Sequence, residues 1–238
     1  MTQLIGKPLG RKAYGSIGHL PNSRLGKGDH SVHEGYARIC TEKLRDKHDR
    51  VIVQEKLDGS CVAVGLLDGK LWPMSRAGWP AESSPYEQHK LFAIWAWENE
   101  DRFRAVLKEG ERLCGEWLAQ AHGTIYDLAR GGLEPFGAFD LMTGPDRFPY
   151  DEFTGRLGGA FQVPHLLHDG GPISTEAAMS IHAHRHWPCD EIEGVVYRVE
   201  RNGQVDFLAK YVRPDKIDGK HLPEVSGKPA VWNWRPNW

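Results

Sequence analysis

The stretch VIVQEKLDGSCVAV, residues 51–64, predicts both a local fold and a candidate site. Two runs rich in β-branched residues flank an Asp-Gly pair, which is typical of a tight turn between strands. Lys56 lies two residues before Asp58, the first residue of the pair. A lysine on the edge of a rigid strand, near a glycine that lets a phosphate come close, is a candidate nucleophile. Because the Lys-Leu-Asp-Gly signal is short, its meaning depends on the rest of the chain.

Composition indicates a globular protein with one large domain or two small ones. The chain has 238 residues, of which 40% are hydrophobic, and this is enough for a real core. No run approaches the roughly 18 apolar residues of a membrane span, and the N-terminus lacks the apolar core of a signal peptide. We therefore expect a soluble, cytoplasmic protein with no membrane partner. The four cysteines form no Cys-x-x-Cys pair, so a disulfide framework or a cysteine zinc site is not indicated.

Charge is distributed unevenly along the chain. The formal net charge is only -2, which argues against a protein that binds nucleic acid by bulk charge. Residues 1–50 nevertheless contain ten Lys and Arg against five Asp and Glu. A basic binding face and an ordinary solvated surface both fit this pattern.

Two Asp-Gly turns predict a β-meander at the start of the candidate domain. The second turn, at residues 68 and 69, leads into residues 70–76. If both turns are two-residue hairpins, Lys56 lies opposite Cys61, and Cys61 lies opposite Arg76. Lys56 and Arg76 would then line one surface from neighbouring strands.

Two further strands are predicted, at residues 112–118 and 135–142. Glu116 interrupts the first, otherwise apolar strand, and a buried carboxylate without a partner is costly. We therefore expect Glu116 to have a partner. In the second strand Phe136 and Phe139 fall on opposite faces, so at most one of them is expected to be simple core.

An Asn-Gly pair at residues 202 and 203 predicts a hairpin between residues 193–199 and 204–212. If residue 201 pairs with residue 204, Val195 pairs with Lys210. Glu193 and Lys210 would then lie diagonally adjacent on one face. The local pairing thus predicts an acid and a base side by side.

Three helices are predicted. The first covers about residues 36–48 and the last about residues 175–186. The middle helix has the clearest start, with Ser84 as cap and Pro85 at the first helical position, and it ends at Gly110.

Two other clusters of side chains allow alternative readings. His182 and His186 share a helix face, but no third metal ligand is evident, so an exposed helix is favoured over a metal site. The tail tryptophans Trp232, Trp234 and Trp238 fit packing on the domain or stacking on bases, and packing is the preferred interpretation.

Six short motifs follow one another between residues 51 and 213: Lys-Leu-Asp-Gly, Ser-Arg-x-Gly, Gly-Glu-Trp, Phe-Asp-Leu, Glu-Gly-Val-Val and Ala-Lys-Tyr. In this order they resemble the covalent nucleotidyltransferase superfamily of polynucleotide ligases and mRNA capping enzymes. The closest resemblance is to its RNA ligase family. Each motif alone is weak, and the series is far more specific.

The resemblance implies an α+β fold, namely a nucleotidyltransferase (ATP-grasp-like) domain of antiparallel sheets flanked by helices. The implied adenylyltransferase domain covers residues 51–214. Residues 1–50 would be a basic N-terminal segment packed on that domain, and residues 215–238 a C-terminal tail. Only 28 residues follow Lys210 in the 238-residue sequence, so no C-terminal OB domain is expected.

The resemblance also implies catalytic roles for three residues. Lys56 corresponds to the nucleophile that attacks the α-phosphate of ATP and becomes lysyl-AMP. Glu193 corresponds to the acid that supports metal and proton chemistry, and Lys210 to the lysine that contacts the α-phosphate. The implied cofactors are ATP and Mg²⁺, or Mn²⁺ in its place. Together with Arg76 and Lys210, the metal would supply the positive potential that lowers the lysine pKa from about 10.4.

The remaining site residues would hold the nucleotide, and each is taken from its matching motif. Arg76 corresponds to the arginine near the sugar and the nucleic-acid phosphate, Glu116 to the acid that binds ribose hydroxyls, and Phe139 to the ring stacked on adenine. Glu55, beside the nucleophile, is a further nucleotide contact.

The implied substrate is RNA with 5′-phosphate and 3′-hydroxyl ends. A partner protein is one candidate for additional contacts that bind this substrate. The alternatives are a minimal ATP-dependent DNA ligase and a non-catalytic module that binds a nucleotide or nucleic acid. Two positions depart from the family pattern. Cys61 stands where RNA ligases often have an asparagine used after adenylylation, and Val212 stands where a second lysine is usual. Arg213 and Lys216 are the candidate substitutes for that lysine.

Overall fold

The computed structural model describes residues 6–236, which form two compact units built from interleaved segments. The first unit contains residues 6–15, 60–120 and 135–163, and the second contains residues 16–59, 121–134 and 164–236. The segment predicted as N-terminal was residues 1–50, and its described part, residues 6–50, thus contributes to both units. The predicted division into segment, domain and tail stays a prediction.

The predicted α+β class is confirmed. In chain order the strands are β1 (Gly18–His19), β2 (Asp49–Lys56), β3 (Ser60–Leu67), β4 (Lys70–Ser75), β5 (Glu111–Trp117), β6 (Phe136–Thr143), β7 (Asp146–Arg147), β8 (Leu166–Gly170), β9 (Gly194–Arg201) and β10 (Gln204–Val212). The helices are α1 (Glu34–Thr41), α2 (Glu87–Glu98), α3 (Glu100–Val106), α4 (Leu128–Gly131), α5 (Tyr150–Leu157), α6 (Thr175–His182) and α7 (Pro223–Ser226), with a 3₁₀ turn at Ala81–Ser83. Among the helices of residues 6–236, none has the length and apolar character needed to cross a membrane.

The second unit contains a five-stranded sheet in the order β1-β10-β9-β2-β8. Strand β1 pairs with β10 in parallel, and the other pairs are antiparallel. One face of β2, β9 and β10 belongs to a hydrophobic core that also contains buried residues of α1 and α6. The core members from β2 and β9 are Val51, Val53, Val195, Tyr197 and Val199. Because side chains alternate along a strand, Lys56 and Lys210 lie on the opposite face.

The first unit contains an antiparallel five-stranded sheet in the order β4-β3-β5-β6-β7. Its core is an aromatic cluster that joins α2 and α3 to β5 and β6. The members in contact include Phe92, Trp95, Phe103, Trp117 and Phe136. Aromatic rings bury large apolar areas, so this cluster fixes the helices on the sheet.

Two of the three predicted hairpin turns form. The central residues Asp68-Gly69 have φ of 51° and 70°, and Asn202-Gly203 have 52° and 72°, as a type I′ turn requires. Leu67 pairs with Lys70, and the N–H of Arg76 donates to the carbonyl of Cys61 at 3.1 Å. The predicted register between Cys61 and Arg76 is therefore confirmed.

The predicted hairpin between β2 and β3 is wrong, because these strands belong to different sheets. Neither Asp58 nor Gly59 has the positive φ of a type I′ turn. Instead, the Asp58 carboxylate accepts a hydrogen bond from the N–H of Gly123 at 2.9 Å. Consequently Lys56 does not pair with Cys61, and Lys56 and Arg76 do not lie on neighbouring strands.

The predicted register between β9 and β10 is shifted by one residue. A bulge between Val205 and Phe207 makes Lys210 pair with Val196 rather than with Val195. A bulge adds one residue to one strand and so exchanges the faces beyond it. The predicted diagonal between Glu193 and Lys210 therefore depended on a wrong register.

The helices are shorter than predicted. The middle helix begins at Glu87, with Tyr86 at its cap, and Asn99 separates α2 from α3. Ser84 instead follows the 3₁₀ turn, where its hydroxyl lies 2.7 Å from Nδ1 of His89. Helix α1 ends at residue 41 and α6 at residue 182.

The tail contacts the second unit through its backbone and side chains. The carbonyl of Val231 accepts from the N–H of Ala121 at 2.9 Å, and the Asn233 side chain accepts from the N–H of Tyr126 at 3.1 Å. Trp232 and Trp234 are half-buried, whereas Trp238 lies outside the described residues.

Candidate active site

Lys56 ends β2 and contacts a carboxylate from the residue before β9. Its Nζ donates to Oε2 of Glu193 at 2.6 Å. The Lys56 side chain is 21% exposed and that of Glu193 is 8% exposed. Lys56, the predicted nucleophile, thus contacts Glu193, the predicted acid, and both side chains are largely buried.

The buried position of Glu193 changes its protonation. Burial raises its pKa to about 7, against the opposing charge of Lys56, and the nearby charge of Asp58 adds to the increase. A carboxylate with this pKa exchanges a proton near neutral pH. Glu193 is therefore suited to accept a proton from an adjacent ammonium group.

Gly194 separates this pair from β10 and permits an unusually close approach of two strands. It lies opposite Lys56 on one side and opposite Val212 on the other. A Cβ atom at residue 194 would lie 1.9 Å from the carbonyl oxygen of Tyr211. Only glycine fits this position, which explains a glycine directly after the acidic residue of the Glu-Gly-Val-Val motif.

Lys210 lies on the same face of the sheet as Lys56. Lys56 pairs with Gly194 of β9, and Lys210 pairs with Val196, two residues further along β9. Lys210 also pairs with His19 of β1. Its Nζ lies 3.6 Å from Oδ1 of Asp29. Burial, followed by the charge of Lys210, lowers the pKa of His19. Two lysines on one face of the sheet supply positive charge, which is suited to a polyanionic ligand.

A second ion pair, which the sequence did not predict, lies on the turn after Lys56. Asp58 Oδ2 is 2.7 Å from Nζ of Lys216, and Lys216 is 2% exposed. Of the two candidate substitutes for the lysine missing at Val212, Lys216 contacts the Lys-Leu-Asp-Gly motif, whereas Arg213 pairs with Glu191 and Asp215. No short-range pattern links residues 58 and 216, so sequence spacing could not reveal this contact.

Glu55 points to the opposite face of β2 from Lys56. Its two carboxylate oxygens accept hydrogen bonds from the N–H groups of His165, at 2.9 Å, and Trp187, at 3.0 Å. Burial raises its pKa, and these two N–H groups oppose the increase. The observed contacts anchor backbone around β2, and a nucleotide contact by Glu55 stays a prediction.

In the first unit, three of the predicted positions lie at one end of the sheet. Cys61 pairs with Glu116, and Glu116 pairs in turn with Gly137. Arg76 is joined to Cys61 through its backbone, and its guanidinium donates to the carbonyl of Gly15 at 3.2 Å. The structure therefore brings Cys61, Arg76 and Glu116 together, and Glu116 is half-buried.

Phe139 and Phe136 have different surroundings, as predicted. Phe136 is fully buried in the aromatic core, whereas Phe139 is half-buried beside a register shift between β5 and β6. The ring of Tyr14 meets Phe139 edge-on, with centroids 5.0 Å apart. The Tyr14 hydroxyl donates to Asp140 at 2.5 Å, so the N-terminal segment helps to fix the ring of Phe139. No pattern in the sequence had predicted this role of Tyr14.

The histidines considered as metal ligands lie in the second unit. The rings of His182 and His186 are 6.0 Å apart, and burial lowers the pKa of His182 to about 4. Within residues 6–236, no group of three or more His, Cys, Asp or Glu side chains is arranged to hold a metal ion.

Comparison with known proteins assigns the family. The model of the RNA ligase family matches residues 49–212, so the chain belongs to the RNA ligase family. This range contains Lys56, Glu193 and Lys210 as well as the predicted nucleotide contacts. A comparison with curated protein sequences gave no match.

Solved structures of RNA ligases have a similar fold. An RNA ligase variant from Naegleria gruberi, solved with ATP and Mn, has a TM-score of 0.51 and 16% identity, over 84% of this chain and 60% of that one. A second Naegleria gruberi variant, with AMP and Mn, has a TM-score of 0.51 and 17% identity, over 85% and 60%. An archaeal ATP-dependent RNA ligase has a TM-score of 0.47 and 21% identity, over 69% and 42%. The chain thus spans less than two thirds of these proteins, and the Naegleria structures confirm the nucleotidyltransferase fold.

Proposed function

We propose that the protein is an ATP-dependent RNA ligase that joins 5′-phosphate and 3′-hydroxyl ends through lysyl-AMP and adenylated RNA. The observation that carries this proposal is the contact between Lys56 Nζ and Glu193, 2.6 Å long, inside the segment that matches the RNA ligase family. A lysine nucleophile needs a nearby group that accepts its proton, and this pair supplies both.

The first step is attack of Lys56 on the α-phosphorus of ATP. The Nζ–P bond forms and the bond to pyrophosphate breaks. The ammonium group of Lys56 loses two protons overall: one passes to Glu193 and gives the free amine, and the second leaves to solvent as the phosphoramidate forms. The pKa of an ordinary lysine is about 10.4, so activation is required at neutral pH. Glu193 is the proton acceptor, because its own pKa lies near neutrality. Lys210, on the same face, neutralises charge on the α-phosphate.

ATP and a divalent metal are the proposed cofactors. The Naegleria gruberi structures contain ATP or AMP together with Mn, which supports the same requirement here. Mg²⁺ or Mn²⁺ is usually held by one or two carboxylates together with phosphate oxygens, so the carboxylate of Glu193 fits as a ligand. The metal, when bound, neutralises the charge of the phosphates.

The residues of the first unit are proposed as nucleotide contacts. Glu116 binds the ribose hydroxyls, Phe139 stacks on adenine, and Arg76 contacts the sugar and the phosphate of the nucleic acid. Glu55 is the weakest of the proposed contacts, since its oxygens already bind two backbone N–H groups. These assignments follow the family motifs, residue by residue.

The two later steps transfer AMP and seal the strand. The RNA 5′-phosphate attacks the phosphorus of lysyl-AMP, which releases Lys56 and forms a 5′-5′ pyrophosphate linkage. The 3′-hydroxyl then attacks the activated 5′-phosphate and expels AMP. Both are in-line substitutions, which depend on positioning and cations. The departures at Cys61 and Val212 affect these two steps most. An enzyme that seals RNA strands in this way would act in RNA repair, which is the proposed role.

Substitution of Phe139 tests the proposed stacking on adenine. Phe139→Ala should lower lysyl-AMP formation at low ATP by about 5-fold or more, since loss of stacking on a base costs about 1–3 kcal/mol. Phe139→Tyr keeps the ring and should stay within about threefold of wild type. The measurement is the initial rate of labelling with α-labelled ATP. Equal losses in both variants, together with equal losses of thermal stability, would indicate core packing instead.

The joining reaction itself tests the proposed function. Wild-type protein with ATP and Mg²⁺ should seal a nicked duplex that carries RNA on both sides of the nick in preference to an all-DNA duplex offered in competition. Preferential sealing of all-DNA nicks would favour the DNA ligase alternative. Binding of both duplexes without joining or covalent AMP would favour the non-catalytic module.

A further inference from the structure

Lys216 lies after the last strand, outside the segment that matches the family model. Its ammonium group is nevertheless buried: the residue is 2% exposed, and Nζ lies 2.7 Å from Oδ2 of Asp58. Asp58 is the third residue of the Lys-Leu-Asp-Gly motif. Lys216 therefore places a buried cation against Asp58, which lies two residues after Lys56.

The surroundings of Lys216 satisfy its hydrogen bonds and leave little free space. Nζ also donates to Oγ1 of Thr124 at 2.6 Å, and Thr124 donates in turn to the carbonyl of Glu191 at 3.1 Å. Gly123 lies against both partners, because a Cβ atom there would be 2.8 Å from Asp58 Oδ2 and from Cε of Lys216. The absence of a side chain at Gly123 lets the ion pair form.

Asp58 is held on both its backbone and its side chain. Its N–H donates to the hydroxyl of Tyr126 at 2.9 Å, and its carboxylate accepts from the N–H of Gly123 at 2.9 Å. Burial alone would raise the pKa of Asp58, but the charges of Lys216 and Lys56 outweigh it and lower the pKa. Asp58 therefore stays ionised beside Lys56.

Stability alone does not explain a lysine at this position. A buried ion pair is often no more stabilising than a pair of well-packed apolar side chains, because both charges lose their hydration. What the ion pair does provide is a fixed geometry, since the two charges and their hydrogen bonds favour one arrangement. The residues fixed in this way, 57–59, directly follow Lys56.

We propose that Lys216 is a positioning residue for Lys56: it holds the Asp58 carboxylate, and with it residues 57–59, in one geometry behind the nucleophile. The inference rests on the proposed function, because it assigns a role in lysyl-AMP formation. Lys216 follows β10 and lies outside residues 49–212, which match the family model. The proposal therefore gives the segment after β10 a part in the first chemical step.

Four variants test this proposal: Lys216→Met, Asp58→Asn, the double variant, and Arg45→Met as the control. Arg45 forms an ion pair of similar length, 2.8 Å, with the buried carboxylate of Asp49 at the start of β2, and its own side chain is 35% exposed. The double variant removes both charges and so avoids a buried, uncompensated carboxylate. Two quantities are measured at a temperature where all variants are folded: amide hydrogen exchange of residues 57–59, and the single-turnover rate of lysyl-AMP formation.

Lys216→Met should increase hydrogen exchange at residues 57–59 by at least about 10-fold. It should slow lysyl-AMP formation at saturating ATP by at least about 10-fold, while the ATP concentration for half-maximal rate changes less than about threefold. In the Asp58→Asn background, Lys216→Met should change the rate by less than about threefold, because a residue that acts through another is non-additive with it. Arg45→Met should lower Tm but leave both quantities near wild type.

A wild-type rate in Lys216→Met, or unchanged exchange at residues 57–59, would overturn the proposal. Multiplicative effects of the two substitutions would overturn it too, because Lys216 would then act independently of Asp58. If the wild-type protein forms no lysyl-AMP, the proposed function fails, and hydrogen exchange still decides whether Lys216 holds these residues.

Discussion

Replacing Lys56 with alanine is expected to abolish covalent labelling by α-labelled ATP, with a loss of at least about 10³-fold relative to wild type. Nζ of Lys56 is the only protein atom that the proposed mechanism bonds to phosphorus. Lys56→Arg should fail equally, because a guanidinium group keeps its proton at any accessible pH. The measurement is protein-bound label after denaturation, followed by mapping of the modified peptide to residue 56.

The control for this prediction is Lys47→Ala, since Lys47 is an exposed lysine of the same unit. That variant should label like wild type. Labelling that persists in Lys56→Ala would mean that another lysine, such as Lys210, is the nucleophile. An unlabelled wild-type protein would rule out the ligase mechanism itself.

Glu193→Gln is the second substitution with a large expected effect. Glutamine keeps the size of the side chain but neither accepts the proton of Lys56 nor offers a charged metal ligand. Lysyl-AMP formation should fall by at least about 10²-fold, the range expected for loss of a general base. Single-turnover labelling at saturating ATP and metal measures this loss, and a near wild-type rate would exclude Glu193 as the proton acceptor.

The same variant should change how stability depends on pH. Because the pKa of Glu193 is raised from 4.5 to about 7 in the folded protein, the folded state favours the protonated carboxyl. The stability contribution is therefore complete below about pH 4.5, is lost as pH rises towards 7, and stays low above it. Across this interval wild type should lose about 3 kcal/mol relative to Glu193→Gln, which does not titrate at this position. Urea unfolding of both proteins at pH 5 and pH 8 measures the difference, and parallel pH profiles would contradict the raised pKa.

The predictions from sequence succeeded where one short segment contains the whole signal. The Asp68-Gly69 and Asn202-Gly203 turns formed because two adjacent residues with positive φ are enough to define a hairpin. The motif residues Lys56 and Glu193 also came together. Their contact depends on pairing between β2 and β9, however, whereas the local hairpin pattern had predicted Lys210 as the neighbour of Glu193.

The errors came from contacts with distant parts of the chain. Asp58-Gly59 looks like a hairpin turn, but Asp58 is held by Gly123 and Lys216, which lie far away in sequence. The bulge between Val205 and Phe207 gives no clear local signal and exchanges the face of every later residue. Tyr14 was missed beside Phe139 for the same reason, since its partners lie on β6. Local patterns predicted two of the three turns, whereas tertiary contacts decide which strands are neighbours and a bulge decides which face the later residues occupy.

The interleaving of the two units has a consequence for synthesis on the ribosome. In the sheet of the second unit, β10 lies between β1 and β9, so the earliest strand of the chain waits for the last one. Residues 18 and 19 find their partners at residues 209 and 210 only after the chain has emerged as far as residue 210. Closing such a long loop slows folding and exposes unpaired strand edges meanwhile. We therefore expect the first unit, whose strands β3 to β7 end by residue 147, to acquire its sheet earlier in translation than the unit that contains Lys56.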